Sequence, residues 1–337
     1  MARRARDYDE DDVRVRPGRR GSRPRTRRRP AHEDAVGALV TAVDRGRYRC
    51  LVGEGTPGAR AVTAMRAREL GRKGVVVGDR VALVGDTSGG PDSLARIVRV
   101  EPRSSSLRRT ADDSDPFERI IVANAGQLVI VTALADPEPR PRMIDRCLVA
   151  AYDAGMEPLL CLTKADLAPP DALVAAYAPL GVPYVVTARG GDTAALRGHL
   201  SGRTSVLVGH SGVGKSTLVN ALVPDAERAV SRVNAVTGRG RHTSSSAIAL
   251  ELPDGDGWII DTPGVRSFGL AHVEPEHVIG AFEDLAEGAA ERCPPHCDHL
   301  QESCGLDGWV ADGHASRARL DSLRRLLASR EGEAEPV

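Results

Sequence analysis

Between Val36 and Val100, apolar and polar residues alternate in short segments broken by glycine, the period expected of half-buried β-strands. The pattern predicts strands over 37–43, 48–52, 75–77, 80–84 and 95–100, with Gly78-Asp79 and Gly89-Gly90-Pro91 supplying turns. Short strands without a helical stretch suit a small barrel of the OB-fold type; pattern alone leaves a generic small β-domain open. Residues 102–116, rich in Ser and Arg, read as a linker.

The texture changes at Ile120. Apolar runs over 127–134, 158–162, 184–187, 205–208 and 258–260 read as buried strands, and 141–154, 171–180, 193–200 and 215–223 have helix length and faces. Strands alternating with helices predict an α/β domain with a parallel sheet and a ligand site at its carboxyl ends. After Phe268 the chain turns helical around 275–287, then Cys-rich, and closes on an amphipathic helix with Leu320, Leu323, Leu326 and Leu327 on one face. The expected organisation is a tail (1–34), a barrel (35–101), an α/β domain (102–270) and a C-terminal helical module (271–337).

Composition is globular, with 41% hydrophobic and 27% charged residues. No apolar run is long enough for a transmembrane helix, and the Arg-rich start lacks the apolar stretch of a secretory signal, so the cytoplasm is the expected compartment. Net charge is zero but uneven: nine Arg and no acid lie between Arg14 and Arg29, behind the acidic run 9–12. Such a block is expected to be disordered, either a solvated tail or an arm that binds nucleic-acid phosphates. Lysine occurs only at 73, 164 and 215 against a Lys-plus-Arg total of 46. Two of those three fall in the motifs below, where a compact point charge is not replaceable by guanidinium.

The sharpest motif is Gly209-His210-Ser211-Gly212-Val213-Gly214-Lys215-Ser216-Thr217, a G-x-x-x-x-G-K-[ST] phosphate loop between a predicted strand and a predicted helix. Its glycines let successive N–H groups turn onto phosphate oxygens, and the helix N-terminus adds a favourable dipole. Lys215 is expected on the β- and γ-phosphates and Ser216 on Mg²⁺. Thr163-Lys164-Ala165-Asp166, after the strand 158–162, fits [N/T]-K-x-D and selects guanine. Its Asp can accept from guanine N1–H and the 2-amino group, which adenine does not offer, while the Lys164 stem lies along the purine face. Thr187-Ala188, after the next strand, resembles the loop whose amide meets guanine O6. Asp261-Thr262-Pro263-Gly264 matches D-x-x-G, with Asp261 holding Mg²⁺ through water and the Gly264 amide sensing the γ-phosphate. Residues 238–246 read as a switch loop, in which Thr243 is the candidate second hydroxyl on Mg²⁺.

Motif order sets this chain apart. Ordinary GTPases run phosphate loop, switch Thr, D-x-x-G, then guanine motif; here the guanine motif comes first, which predicts a circularly permuted P-loop GTPase domain. Permutation is tolerated because domain termini often lie close together. Downstream, Cys293, Cys297, His299 and Cys304 would close a tetrahedral Zn²⁺ site of structural type, with His296 competing for the histidine position. Cys50, Cys147 and Cys161 sit in apolar stretches and read as core.

Together these residues resemble the bacterial ribosome small subunit-dependent GTPase A family, also called YjeQ, over about 36–330. Val77-Gly78-Asp79-Arg80-Val81, Pro102-Arg103, Leu107-Arg108-Arg109, Arg241-His242-Thr243 and Asp261-Thr262-Pro263-Gly264-Val265-Arg266 add to the likeness. His210 stands where the family usually has Gln, and the zinc spacing is one residue shorter in two gaps. The resemblance implies an N-terminal OB-fold, a permuted GTPase domain and a zinc module. It also implies a factor that binds the small (30S) ribosomal subunit and its rRNA late in maturation; no coiled-coil repeat or long apolar seam suggests more than a monomer. GTP hydrolysis there would drive its own release or that of another factor. An apolar Val265 cannot orient water, so intrinsic turnover is expected to be slow, and His242 is the candidate to supply that role.

Two other classes compete with the hydrolase: an RNA-associated GTP switch with negligible turnover, which Val265 favours, and an ATP-dependent phosphate-loop enzyme, which requires the guanine motif to be accidental. Tyr48 is the only aromatic between Val36 and Val100, so rRNA contacts are expected to be mainly Arg to phosphate rather than base stacking.

Overall fold

The computed structural model describes residues 32–44, 46–70, 74–109, 119–224, 226, 247–262, 270, 273–301 and 304–329. The Arg-rich tail, Thr243, His242 and Gly264 lie outside these. From Asp34 onward the chain forms one compact unit.

Five strands form the barrel: β1 (Val36–Asp44), β2 (Arg47–Val52), β3 (Arg60–Arg66), β4 (Arg80–Gly85) and β5 (Ala95–Val100). They pair in the order β1-β2-β3-β5-β4, and β4 returns to β1 to close the sheet, in agreement with the OB-type expectation. Inward positions alternate with outward ones and put Val40, Cys50, Val62, Ala64, Val81, Leu83 and Ile97 in one core. Strand β3 was not expected, whereas 75–77 forms no strand, Val77 making only an isolated bridge to Val122.

Within the expected linker, β6 (Ser106–Arg109) forms and pairs antiparallel with β7 (Arg119–Ala123), just beyond it. This pair docks the barrel onto the next domain through named contacts. Gly78, at φ 89°, sits so close to Ala123 that a Cβ would collide with its carbonyl oxygen. The Asn124 side chain donates to Gly78 O at 2.9 Å and accepts from Ser104 N at 2.8 Å.

The second sheet contains β8 (Gln127–Ala133), β9 (Glu157–Thr163), β10 (Tyr184–Val186), β11 (Arg203–Gly209), β12 (Ile248–Glu251) and β13 (Gly257–Asp261). Its order is β10-β9-β8-β11-β13-β12, all parallel except β12, which also bridges β1 of the barrel at Ala42↔Ile248. Helices α1 (Pro141–Asp153), α2 (Asp171–Tyr177), α3 (Ala194–Leu200) and α4 (Lys215–Leu222) cover its faces. Strand β8 shows why the sheet is buried on both sides: Leu128 and Ile130 enter the α1 core, and Val129, Val131 and Ala133 enter the core with α3 and α4. The chain runs outward from β8 to β9 and β10, then returns to β11 beside β8. That reversal is a topological switch point, where a crevice opens beyond the strand ends.

Helices α5 (Pro275–Ile279), α6 (Glu283–Arg292), α7 (Gly305–Ala311) and α8 (Arg317–Ala328) complete the chain. The expected single helix over 275–287 is broken at 280–282, where buried Phe282 packs edge-on against Tyr152 of α1. Leu320, Leu323, Leu326 and Leu327 of α8 are buried in the same core as Ile144 and Leu148 of α1. Arg325 pairs with buried Asp145 of α1 at 3.1 Å, and Arg146 donates to Ser329 O at 2.7 Å. The C-terminal helices therefore complete the core of the α/β domain. Among the described residues no helix is long and apolar enough to cross a membrane.

Candidate nucleotide site and metal cluster

The turn from β11 into α4 places Gly212 at φ 84° and Gly214 at φ 88°, conformations that favour glycine, with Gly214 as the residue before the helix. A Cβ on Gly209 would lie 2.6 Å from Val131 O, so only glycine lets β11 end this close to β8. The loop is local: His210 Nδ1 lies 2.8 Å from Ser211 O, and Val213 N donates to His210 O at 3.4 Å. Ser216 and Thr217 occupy the first turn of α4.

Lys215 heads back across the sheet ends. Its ammonium pairs with Asp261 at the end of β13 and donates to Thr262 O at 3.2 Å. Thr262, itself buried, donates to Leu207 O at 2.7 Å, fixing the start of the D-x-x-G turn against the phosphate-loop strand.

The guanine motif arrives from β9. Buried Thr163 donates to Val213 O at 2.6 Å, joining this motif to the phosphate loop. Lys164 takes a left-handed φ of 60° and its ammonium bonds to the Asp136 carbonyl. A non-glycine residue held there is strained, and such strain clusters at functional sites. Ala165 N donates to Thr187 O at 3.1 Å, and Arg189 N to Asp166 Oδ1 at 3.3 Å, so the two loops at the base end brace one another.

These segments enclose one cavity of about 510 Å³. Its lining includes Thr163, Lys164, Asp166, Thr187, Ala188, Gly212, Gly214 and Thr217, brought from three separate motifs. Asp166 is exposed toward it, not buried as a finished hydrogen-bonding partner; a bound base would supply the burial. The sequence reading missed Asp136, Leu167, Arg189, Gly190, Gly191, Thr193, Leu218 and Ala221, which also line it. Only Gly190-Gly191 carried a local signal, a turn after a strand. Asp136 meets Lys164 through its backbone carbonyl, with its carboxylate 3.9 Å from the ammonium, and no residue pattern announces it.

The cysteine cluster forms where α6 ends and α7 begins. Cys293, Cys297, His299 and Cys304 bring one donor atom each to within 4.8 Å of all the others. Cys304 Sγ lies 3.6 Å from Cys293 Sγ, 3.8 Å from Cys297 Sγ and 3.5 Å from His299 Nδ1. Zinc–ligand bonds of about 2.3 Å to sulfur and about 2.0 Å to nitrogen give tetrahedral edges of about 3.8 Å and 3.5 Å, so the donors fit a zinc ion. His296, with its side chain 94% exposed, lies 4.0 Å from Glu276 and is not in the cluster. Burial pushes the Cys304 thiol up to about 12 and the His299 imidazole below its usual value. A dication at the centre reverses the first tendency and suits the second, since it binds thiolate and neutral imidazole.

Comparison with known proteins agrees with this geometry. The profile of the RsgA GTPase family matches residues 100–271. The small ribosomal subunit biogenesis GTPase RsgA of Pseudomonas syringae pv. syringae is 40% identical over 264 residues, covering 76% of this chain and 75% of the relative. The crystal structure of YjeQ from Thermotoga maritima superposes with a TM-score of 0.65 at 24% identity, covering 89% of this chain and 100% of that one. YloQ, described as a circularly permuted GTPase, superposes with a TM-score of 0.63 at 22% identity, covering 89% of this chain and 96% of that one. The fold is thus a permuted GTPase domain behind a five-stranded barrel, with the guanine motif reaching the site before the phosphate loop in chain order. This chain belongs to the RsgA GTPase family.

Proposed function

We propose that this chain binds GTP in the cavity between β8, β9 and β11, hydrolyses it, and acts in biogenesis of the small ribosomal subunit. The observation that carries the reading is that Lys164 and Asp166 open into the same cavity as Gly212 and Gly214. Within the motif Thr163, Lys164, Ala165 and Asp166, the Asp166 carboxylate takes the guanine edge and the Lys164 stem lies along the purine face, with Thr187 and Ala188 near its O6. The phosphate loop, Gly209 to Thr217, cradles the phosphates, with Lys215 as its point charge. Ser216, Asp261 and Thr243 serve Mg²⁺, and Gly264 meets the γ-phosphate. His242 positions the attacking water on the ribosome. Cys293, Cys297, His299 and Cys304 hold one structural zinc ion. The protein works as a cytoplasmic monomer, with arginines on rRNA phosphates.

Support for a stimulated enzyme comes from Val265, the apolar residue after Gly264, which cannot orient water. The test measures GTP hydrolysis by the purified chain alone and with equimolar small or large subunits. Stimulation by the small subunit alone is the expected result. Tight GTP binding without stimulation by either subunit would instead support an RNA-associated switch, the reading that Val265 also favours.

A further inference from the structure

Arg324 lies between the cysteine cluster and Asp307, with its side chain 13% exposed. Its guanidinium donates from Nε to His299 O at 3.0 Å and from Nη2 to Gln301 O at 2.9 Å. On its other edge it forms a forked pair with Asp307, at 3.1 Å to Oδ1 and 2.6 Å to Oδ2. Asp307 also accepts from Arg317 at 2.8 Å.

Two physical needs meet at this side chain. His299 is a non-glycine residue at φ 59°, a backbone state that must be held in place by its surroundings. Arg324 grips that residue's own carbonyl. The second need is electrical: zinc with three thiolates and a neutral imidazole carries net charge −1, and a half-buried anion requires a nearby cation. Arg324 supplies that cation beside the thiolates, and Asp307 is shared between Arg324 and Arg317. Arg suits both tasks because its planar fork serves carbonyls and carboxylate at once, which an ammonium cannot.

We propose that Arg324 is the outer positioning residue of the metal site, holding the loop that carries His299 and balancing the charge of the metal–thiolate centre. The inference rests on the zinc reading of the cluster. Outer partners of this kind commonly change metal affinity by about 10–100-fold.

The experiment follows zinc transfer from the full-length protein to a coloured chelator, after metal analysis of the wild type. About one zinc per chain supports the cluster reading; a chain that neither contains nor takes up zinc overturns that reading and the proposal with it. For Arg324→Ala, zinc transfer is expected to be about 10–100-fold faster than wild type. Arg324→Lys, which keeps charge without the fork, is expected to fall between the two, and decides the matter if the alanine variant does not fold. Arg319→Ala is the control, since Arg319 on the same helix pairs with Asp284 at 2.7 Å and bonds Pro179 O at 3.0 Å, away from the cluster. That variant is expected to lose stability while releasing zinc at a rate near wild type. Wild-type release from both Arg324 variants, or equally fast release from Arg319→Ala, would overturn the proposal.

Discussion

Thr163 donates a 2.6 Å hydrogen bond to the carbonyl of Val213, tying the guanine motif to the phosphate loop across fifty positions of sequence. Both residues are buried, so neither group can turn to water as a substitute. Thr163→Val keeps the shape and removes the donor. A buried acceptor left unpaired costs about 1–3 kcal/mol. The variant should therefore lose stability in urea titration and bind GDP more weakly by calorimetry. Wild-type values in both would show that the bond does not fix the site.

Lys215 offers a second test because its charge has a protein partner, Asp261, before any phosphate arrives. Lys215→Ala should reduce GTP hydrolysis by roughly 100-fold or more, as loss of a preorganised charge donor does. Stability of the nucleotide-free protein should fall only modestly, since Asp261 is partly open to solvent. Single-turnover hydrolysis and thermal unfolding of the same preparation separate the two effects.

At the barrel junction, Arg103 makes a bidentate pair with Asp79 at 2.7 and 2.8 Å, and Asp79 also accepts from Val76 N at 2.8 Å. The Asp79 side chain is completely buried. Arg103→Met would strand that carboxylate, a loss of about 3–5 kcal/mol. Asp79→Asn combined with Arg103→Met should recover part of it. Denaturant midpoints of the single and double variants check this.

Acid should weaken the C-terminal module in a defined direction. The Arg324 hydrogen bond holds the Asp307 carboxyl below the usual carboxylate range. A depressed folded value contributes stability that is present above the unfolded value, about 3.8, and is lost as pH falls through the folded one. Asp307→Asn removes that contribution. The gap in urea midpoint between wild type and variant should therefore be largest above about pH 5 and should narrow toward pH 3. A gap that widens on acidification would contradict the assignment.

Part of the cavity lining was legible in sequence because each motif is local: Thr163, Lys164, Asp166, Thr187, Ala188, Gly212, Gly214 and Thr217 sit in short segments at strand ends that the fold brings together. The buried strands were legible for a similar reason, β8 being apolar on both faces. Strand β3 escaped because its inward residues are Val62 and small Ala64, flanked by arginines, so its alternation is weak. Hairpin β6–β7 escaped because Ser- and Arg-rich sequence pairs there by backbone, with Leu107 and Val122 buried through tertiary contact. Asp136 could not be foreseen, since its hydrogen bond to Lys164 is made by a carbonyl oxygen and its carboxylate is paired only at 3.9 Å. In sequence His299 is the choice with His296 competing; the geometry separates them by burial and by membership of the cluster around Cys304.

The central claim is that Asp166 selects guanine in a site assembled from permuted motifs. Binding of GDP, ADP and XDP to the wild type and to Asp166→Asn tests it most directly. The account predicts wild-type binding of GDP alone, and a variant that loses GDP and gains XDP, because an amide can donate to the 2-oxo group of xanthine. Equal binding of ADP and GDP by the wild type, or undiminished GDP binding by Asp166→Asn, would contradict it.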